Sequence, residues 1–232
     1  NSVDASLWFI QAAFAWARAT GRWDDLHAEL LIPIRDILDH YHDGTDFGIA
    51  VGEEGLLACG DGSTQLSWMD AMVNGRPITP RAGKPVEVNA LYGTAVKLTA
   101  DRLARRGHPD ADLYQDRYSR WRAAFREAFV NPAGGLFDRL ARDGRPDASI
   151  RPNQLLAVSL DDSLLDRDRQ RAVVEVARAH LLTPMGLRSL APSDAAYVGR
   201  CAGSRQDRDA AYHQGTVWGW LIGPFCQAYL RV

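Results

Sequence analysis

The chain alternates two kinds of helical segment, and that alternation restricts its fold more than any other feature. Segments starting near Val3, Val86, Pro152 and Gln214 have bodies built mostly of small and apolar residues. Segments over Asp24–His42, Asp112–Phe129 and Arg167–Leu182 are densely charged, as in Asp166-Arg167-Asp168-Arg169-Gln170-Arg171. A helix that is apolar nearly all round must be covered on every side, whereas a charged, amphipathic one keeps a face in water. Strict alternation of the two along the chain is what a double ring of helices requires, with parallel inner helices and an outer layer returning between them.

Hydrophobic periodicity places seven helices. The first runs from Val3 to Thr20, carries Leu7, Ile10, Phe14 and Ala17 on one face, and ends at Thr20-Gly21. The second is expected to kink or restart at Pro33. The third covers Val86 to Arg106, the fourth Asp112 to Phe129, the fifth Pro152 to Ser159, the sixth Arg167 to Leu182, and the seventh runs from Gln214 to the terminus. Between them lie two long connections, Thr45 to Pro85 and Gly186 to His213, of a length that is usually functional inside a compact domain. The first contains a hairpin pattern, Gly48-Ile49-Ala50-Val51 against Leu56-Leu57-Ala58. No βαβ alternation occurs, so the class is all-α with short β excursions in the loops.

Composition narrows the function. With 46% hydrophobic residues the chain can bury enough surface to fold, and a net charge of −2 lacks the basic excess of a nucleic-acid binder. Cys59, Cys201 and Cys226 are too scattered for a disulfide framework or a zinc site and read as free thiols in a reducing, cytoplasmic setting. No apolar run approaches the roughly 18 residues of a membrane span. A secretory leader is not expected, because Asp4, Gln11 and Arg18 interrupt the first apolar stretch. No metal or cofactor motif is present: the histidines form no His-x-x-x-His pair, and neither a phosphate loop nor a nucleophile elbow occurs. A chain of 232 residues that opens on Asn1 and closes inside a helix reads as one domain or a large piece of one, so further segments of a longer polypeptide are expected partners.

The apolar helices open on polar and aromatic residues: Asn1-Ser2-Val3-Asp4 with Trp8, Lys84-Pro85-Val86-Glu87-Val88-Asn89, Arg151-Pro152-Asn153-Gln154, and Tyr212-His213-Gln214-Gly215-Thr216-Val217-Trp218. Parallel inner helices would gather these openings into one depression, helped by the free N–H groups of each terminus. Each opening taken singly also reads as a helix cap. The densest loop motif is Gly60-Asp61-Gly62-Ser63-Thr64-Gln65-Leu66-Ser67-Trp68-Met69-Asp70-Ala71. In an extended segment Trp68 and Asp70 share a side, and an indole that excludes water keeps a carboxyl protonated for proton donation. A core tryptophan beside a turn-capping aspartate is the alternative. In Thr79-Pro80-Arg81-Ala82-Gly83-Lys84-Pro85-Val86-Glu87, ion pairs among Arg81, Lys84 and Glu87 can hold the loop. Seven tryptophans together with amides and carboxyls suit a sugar site, because indoles cover the apolar faces of pyranose rings.

These motifs, in order, resemble the amylo-α-1,6-glucosidase domain at the C-terminus of glycogen debranching enzymes. Asn1-Ser2-Val3-Asp4-Ala5-Ser6-Leu7-Trp8-Phe9, Trp68-Met69-Asp70-Ala71, Thr79-Pro80-Arg81, Lys84-Pro85-Val86-Glu87, Arg151-Pro152-Asn153-Gln154, Leu182-Thr183-Pro184-Met185-Gly186-Leu187-Arg188-Ser189-Leu190 and the Tyr212–Trp218 stretch carry the resemblance across almost the whole chain. It implies an (α/α)6 toroid, six helical hairpins in two rings, of which residues 1–232 form part of a single catalytic domain. It implies inverting hydrolysis of α-1,6-linked glucose at the branch points of glycogen or a limit dextrin, without a cofactor. Asp70 matches the family's general acid. Asp4, Trp8, Trp68, Glu87, Asn153, Gln154, His213, Gln214 and Trp218 match positions of the pocket mouth or wall, and Arg81 and Lys84 join them as candidate substrate contacts. The general base, a Glu in a loop after the last inner helix, falls beyond Val232. The third helix departs from the pattern: Tyr92-Gly93-Thr94 stands where Trp-Tyr-Asn is usual, which is expected to reshape the pocket. A glycan-binding chain without turnover, or a related glucosidase or trehalase-like enzyme of the same architecture, are the alternatives.

Overall fold

The computed structural model describes residues 2–160 and 164–232; the expected opening residue Asn1 lies outside the described residues. Helix α1, Val3–Thr20, starts at Ser2, whose side chain accepts from the Ala5 N–H at 3.3 Å, and stops at Gly21 with φ +72°, the left-handed conformation glycine tolerates best. The charged second segment is broken as Pro33 requires. A short helical turn at Trp23–Asp25 runs into a π-helical turn, Leu26–Leu30, before α2, Leu31–Asp43. Proline cannot donate to the carbonyl four residues back and its ring crowds that turn, so the chain is wound more widely just ahead of it.

Helix α3, Val86–Arg105, has sixteen of its 20 residues buried, which only a helix covered all round allows. Helix α4, Ala111–Phe129, buries one stripe, Tyr114, Tyr118, Trp121, Phe125 and Phe129, and turns its charges outward. The 3₁₀ turn Pro152–Leu155 leads into the short α5, Leu156–Ser159. Helix α6 is Arg167–His180, with Val173, Val174 and Ala177 buried. Helices α1, α3 and α5 are packed in sequence, the last, α8 (Ile222–Arg231), packs on α5, and α2, α4 and α6 lie against them. No helix among the described residues is long and apolar enough to cross a membrane.

Three expectations change. The connection after Met185 holds an unforeseen helix α7, Arg205–Ala211, opened by a reciprocal cap between Ser204 and Asp207. The last helix begins at Ile222 rather than Gln214, because Val217 and Trp218 take extended backbone first. Pro224 then falls in the first helical turn, where an N–H would have no partner anyway. The departures on α3 do not face the cavity described below. Trp121 of α4 fills the space beside Gly93 so closely that no Cβ fits, and Tyr92 lies among His42, Leu113 and Arg117.

Small antiparallel sheets pin the loops. The expected hairpin is present as β1, Ala50–Val51, paired with β2, Leu57–Ala58, in the register Ala50 to Ala58. Strands β3 (Met72–Val73) and β4 (Arg76–Pro77) form a second hairpin just after Asp70. Strands β5 (Lys84–Pro85), β6 (Arg139–Leu140) and β7 (Pro146–Asp147) tie the entry of α3 to the loop after α4. Strands β8 (Leu182–Thr183), β9 (Gly186–Arg188) and β10 (Val217–Trp218) do the same for the entry of α8.

Candidate functional site

Loop 60–71 crosses the N-terminal ends of the inner helices and is stitched to them. The Val3 N–H donates to Leu66 O at 2.7 Å, and the Trp68 N–H donates to Asp4 Oδ2 at 2.8 Å. Asp4 Oδ1 accepts from the Ser2 hydroxyl. The Trp68 indole N–H donates to Asn153 Oδ1 at 2.9 Å. Three aromatic rings meet Trp68 nearly at right angles: Trp220 at 5.1 Å, His213 at 5.2 Å and Trp218 at 5.7 Å between centroids. Edge-to-face contacts of this kind hold rings in place while leaving faces open.

Beside this cluster lies a cavity of about 640 Å³, walled by Asp4 and Trp8 from α1, Trp68 from the loop, Leu156 and Ser159 from α5, and Trp220, Gly223, Pro224 and Gln227 from the last segment. Its lining is mainly apolar with a few polar groups, the usual make-up of a small-molecule site. On the aromatic cluster around Trp68, His213 lies flat on Trp218, with centroids 5.3 Å apart, and its Nε2 is 3.4 Å from Asp70 Oδ1. Burial pulls the His213 pKa down to about 4 although the Asp70 carboxyl opposes it. The imidazole is therefore neutral near pH 7, and the carboxylate facing Nε2 assigns the proton to that nitrogen. Asp70 itself is 66% exposed. The expected shielding of Asp70 by Trp68 is absent, because the indole turns inward to Asn153 and the aromatic cluster.

Beneath the cavity runs a buried polar chain. Asn153 Nδ2 donates to Asp138 Oδ1 at 2.8 Å, Asp138 pairs with Arg81, and Arg81 pairs with Glu87. Arg151 approaches Asp138 at 3.7 Å and donates to Gln214 Oε1 at 2.6 Å and to His213 O at 2.7 Å. Burial pushes the Glu87 carboxyl up to about 7, the Asp138 carboxylate adds to the rise, and Arg81 opposes it.

The expected site residues therefore separate by position. Asp4, Trp8 and Trp68 line the cavity, and His213 and Trp218 pack against Trp68 with Asp70 facing His213, all three outside the lining. Asn153 sits directly behind Trp68. Arg81, Glu87, Gln154 and Gln214 do not open onto the cavity. Arg81 and Glu87 pair with each other in the interior, and Gln154 is spent on the Leu136 N–H and Arg151 O. Gln214 accepts from Thr79 and Arg151. Lys84 leaves the site altogether and pairs with Glu54 of the β1–β2 turn at 2.6 Å. Asp138, Arg151 and Trp220 were missed. Arg151 begins a motif already singled out and Trp220 follows Trp218 by two, so both had a signal; Asp138 had none. Among the described residues no group of three His, Cys, Asp or Glu side chains could hold a metal ion.

The sequence model of the family described as amylo-alpha-1,6-glucosidase matches residues 1–232. The glycogen debranching enzyme of Saccharomyces cerevisiae (strain ATCC 204508 / S288c) is 26% identical over 217 residues, covering 75% of this chain and 14% of that protein. Among solved structures, the GH78 family rhamnosidase of Bacillus sp. GL1 superposes with a TM-score of 0.54 at 14% identity, over 97% of this chain and 26% of that one. The chain thus spans a minor part of either protein's length, and the second likeness is one of fold. With the family match running from end to end over the residues that build the cavity, the chain belongs to the amylo-alpha-1,6-glucosidase family.

Proposed function

We propose that this chain is part of an (α/α)6 toroid and serves in the inverting hydrolysis of α-1,6-linked glucose at α-glucan branch points. The observation that carries the reading is Asp70, two residues beyond the cavity-lining Trp68 and faced by neutral His213, whose ring meets the Trp68 indole edge-on. Asp70 in its acid form protonates the glycosidic oxygen as the bond to the anomeric carbon breaks. Water adds to the opposite face of that carbon and gives its proton to a base, a Glu outside this chain, across the wider carboxyl separation that inversion needs. The His213 N–H then steadies the carboxylate left on Asp70. Because Asp70 is exposed, the exclusion of water that an acid benefits from would come with the bound glucan. Trp8, Trp68 and Trp220 would cover the apolar faces of the sugar rings.

One observation favours binding without turnover for the chain alone. Among the described residues lining the cavity Asp4 is the sole carboxylate, and it already accepts bonds from Ser2 and Trp68. The test is release of free glucose from a dextrin bearing single α-1,6-linked glucose stubs by the intact protein that carries this chain. Proton NMR should show the β-anomer appearing first. Release of the α-anomer, or cleavage of α,α-linked or α-1,4-linked glucose alone, defeats the proposal.

A further inference from the structure

The opposite ends of α1 and α3 enclose a second cavity, of about 350 Å³, lined by Phe14 and Arg18 of α1, Trp23, and Leu98, Asp101, Arg102 and Arg105 of α3. At 1.5 Å per residue, the 14 positions from Asp4 to Arg18 put it about 21 Å along α1 from the cavity described above. Positions 98, 101, 102 and 105 form one helical stripe, so their side chains converge.

Its charge is not balanced on the α3 side. Arg102 and Arg105 share that wall with one carboxylate, Asp101, which pairs with Lys97. Arginines in a last helical turn ordinarily offset the negative end of the helix. That accounts for one at a time, and it leaves two observations over. Arg102 is only 9% exposed, yet its Nε, buried, has no hydrogen-bond partner. The Arg105 guanidinium makes no ion pair or hydrogen bond among the described residues. Arg102 is nevertheless fixed in place: one of its N–H groups donates to Trp23 O and its guanidinium lies 5.6 Å over the Trp23 ring. Asp24, 4.0 Å from Arg102 and 3.3 Å from Arg106, is 87% exposed, a weak counter-charge on the solvent side.

We propose that this cavity binds a small phosphate monoester. Planar guanidinium forks match phosphate oxygens in pairs, and Arg102 and Arg105, one turn apart, can grip one group. Trp23, Phe14 and Leu98 offer an apolar wall for the body of the ester, and the volume suits one ring rather than a nucleotide triphosphate. Burial, together with Arg106 and Arg105, holds the Arg102 pKa below its ordinary value, so an anion here relieves an existing repulsion.

Calorimetric titration of the intact protein at fixed ionic strength tests this, with glucose 6-phosphate, inorganic phosphate and glucose as separate probes. Glucose 6-phosphate should bind saturably below about 10 mM. Inorganic phosphate should bind more weakly, since it leaves Trp23 uncovered, and equal affinity overturns the ester. Glucose matching glucose 6-phosphate overturns the anion site. Arg102→Met should abolish the binding. Should that variant not fold, the exposed Arg105→Gln, which leaves the core untouched, should weaken it by about fivefold or more. Absence of saturable binding, or an Arg105→Gln affinity within about twofold of the parent, overturns the proposal. The readout does not depend on glucan turnover, which Arg105→Gln should leave unchanged.

Discussion

His213 presents its Nε2 to Asp70 Oδ1 at 3.4 Å, so a buried neutral imidazole holds an exposed carboxylate two residues from the cavity-lining Trp68. The backbone of His213 is itself anchored, its carbonyl accepting from Arg151 at 2.7 Å. Asp70 is thus exposed to substrate yet fixed on one side by a group that the interior holds still.

That arrangement makes Asp70→Asn an informative substitution. The amide keeps the size and can still accept from His213, but it cannot donate an acidic proton. General acid catalysis typically contributes ~10²–10⁴-fold. Glucose release from a 1,6 branch by the intact protein should fall by about that factor, while affinity for glucose-like ligands changes little. Hydrolysis of a glucosyl fluoride, whose leaving group needs little protonation, should fall far less. Branch hydrolysis near the parent rate would remove Asp70 from the chemistry.

Stability should depend on pH through His213. Its folded pKa, about 4, lies below the ordinary 6.5, so between these values the unfolded chain binds the extra proton. The stability that depends on a neutral His213 is complete above pH 6.5 and is lost as pH falls toward 4, in total on the order of 3 kcal/mol. Glu87 acts in the opposite sense, since its raised pKa means that the folded state keeps a proton between about pH 4.5 and 7. Comparing the parent with His213→Gln cancels Glu87, which both share. Denaturant unfolding should decline less steeply from pH 6.5 to 4 in the variant. Identical slopes would mean that His213 titrates freely.

Much of the fold was legible because burial writes itself into composition. The all-round apolar body of α3 and the aromatic stripe of α4 specify inner and outer helices before any contact is seen. The recurring polar openings marked one end of the layer, and Asp4, Asn153 and His213 do meet there around Trp68. Composition and periodicity do not say which polar group faces solvent and which faces a partner. Glu87 is consumed by Arg81, six residues before it, which Asp138 holds from the far side, and Gln154 by Leu136 and Arg151 of the loop 130–151; only the first pairing had a signal in the sequence. At the end of the chain a signal was present: Gly215, at φ +141°, breaks the expected helix, and pairing of β10 with β9 then keeps Val217 and Trp218 extended.

The contact between α3 and α4 offers a packing test. Gly93 is the point where the Trp121 ring presses against the α3 backbone. Trp121 is wholly buried and flanked by Tyr118 and Phe125 at 5.9 and 5.1 Å, so it has little room to retreat. Gly93→Ala should cost ~1–3 kcal/mol through overpacking, more than the gain in helix propensity returns. Gly93→Ala combined with Trp121→Leu should recover part of that loss relative to the sum of the two single changes. Denaturant midpoints measure both. A neutral or stabilising Gly93→Ala would mean that the two helices sit farther apart than described.

The last prediction concerns the buried ions behind Trp68. Arg81 pairs with both Glu87 and Asp138, all three at most 3% exposed, and Asp138 in turn orients Asn153 toward the indole. Removing one member of such a group strands the others, which usually costs about 3–5 kcal/mol. Arg81→Met should therefore destabilise by about that amount, and it should release Asn153 and Trp68 enough to shift the tryptophan emission. Adding Glu87→Gln removes the carboxyl that lost its partner, so the double variant should be more stable than the sum of the single costs by at least about 1 kcal/mol. Residues that did not share a network would instead add within about 0.5 kcal/mol. That additive result, with unaltered emission, would reduce Arg81 to a local loop anchor and leave Trp68 positioned by its aromatic neighbours alone.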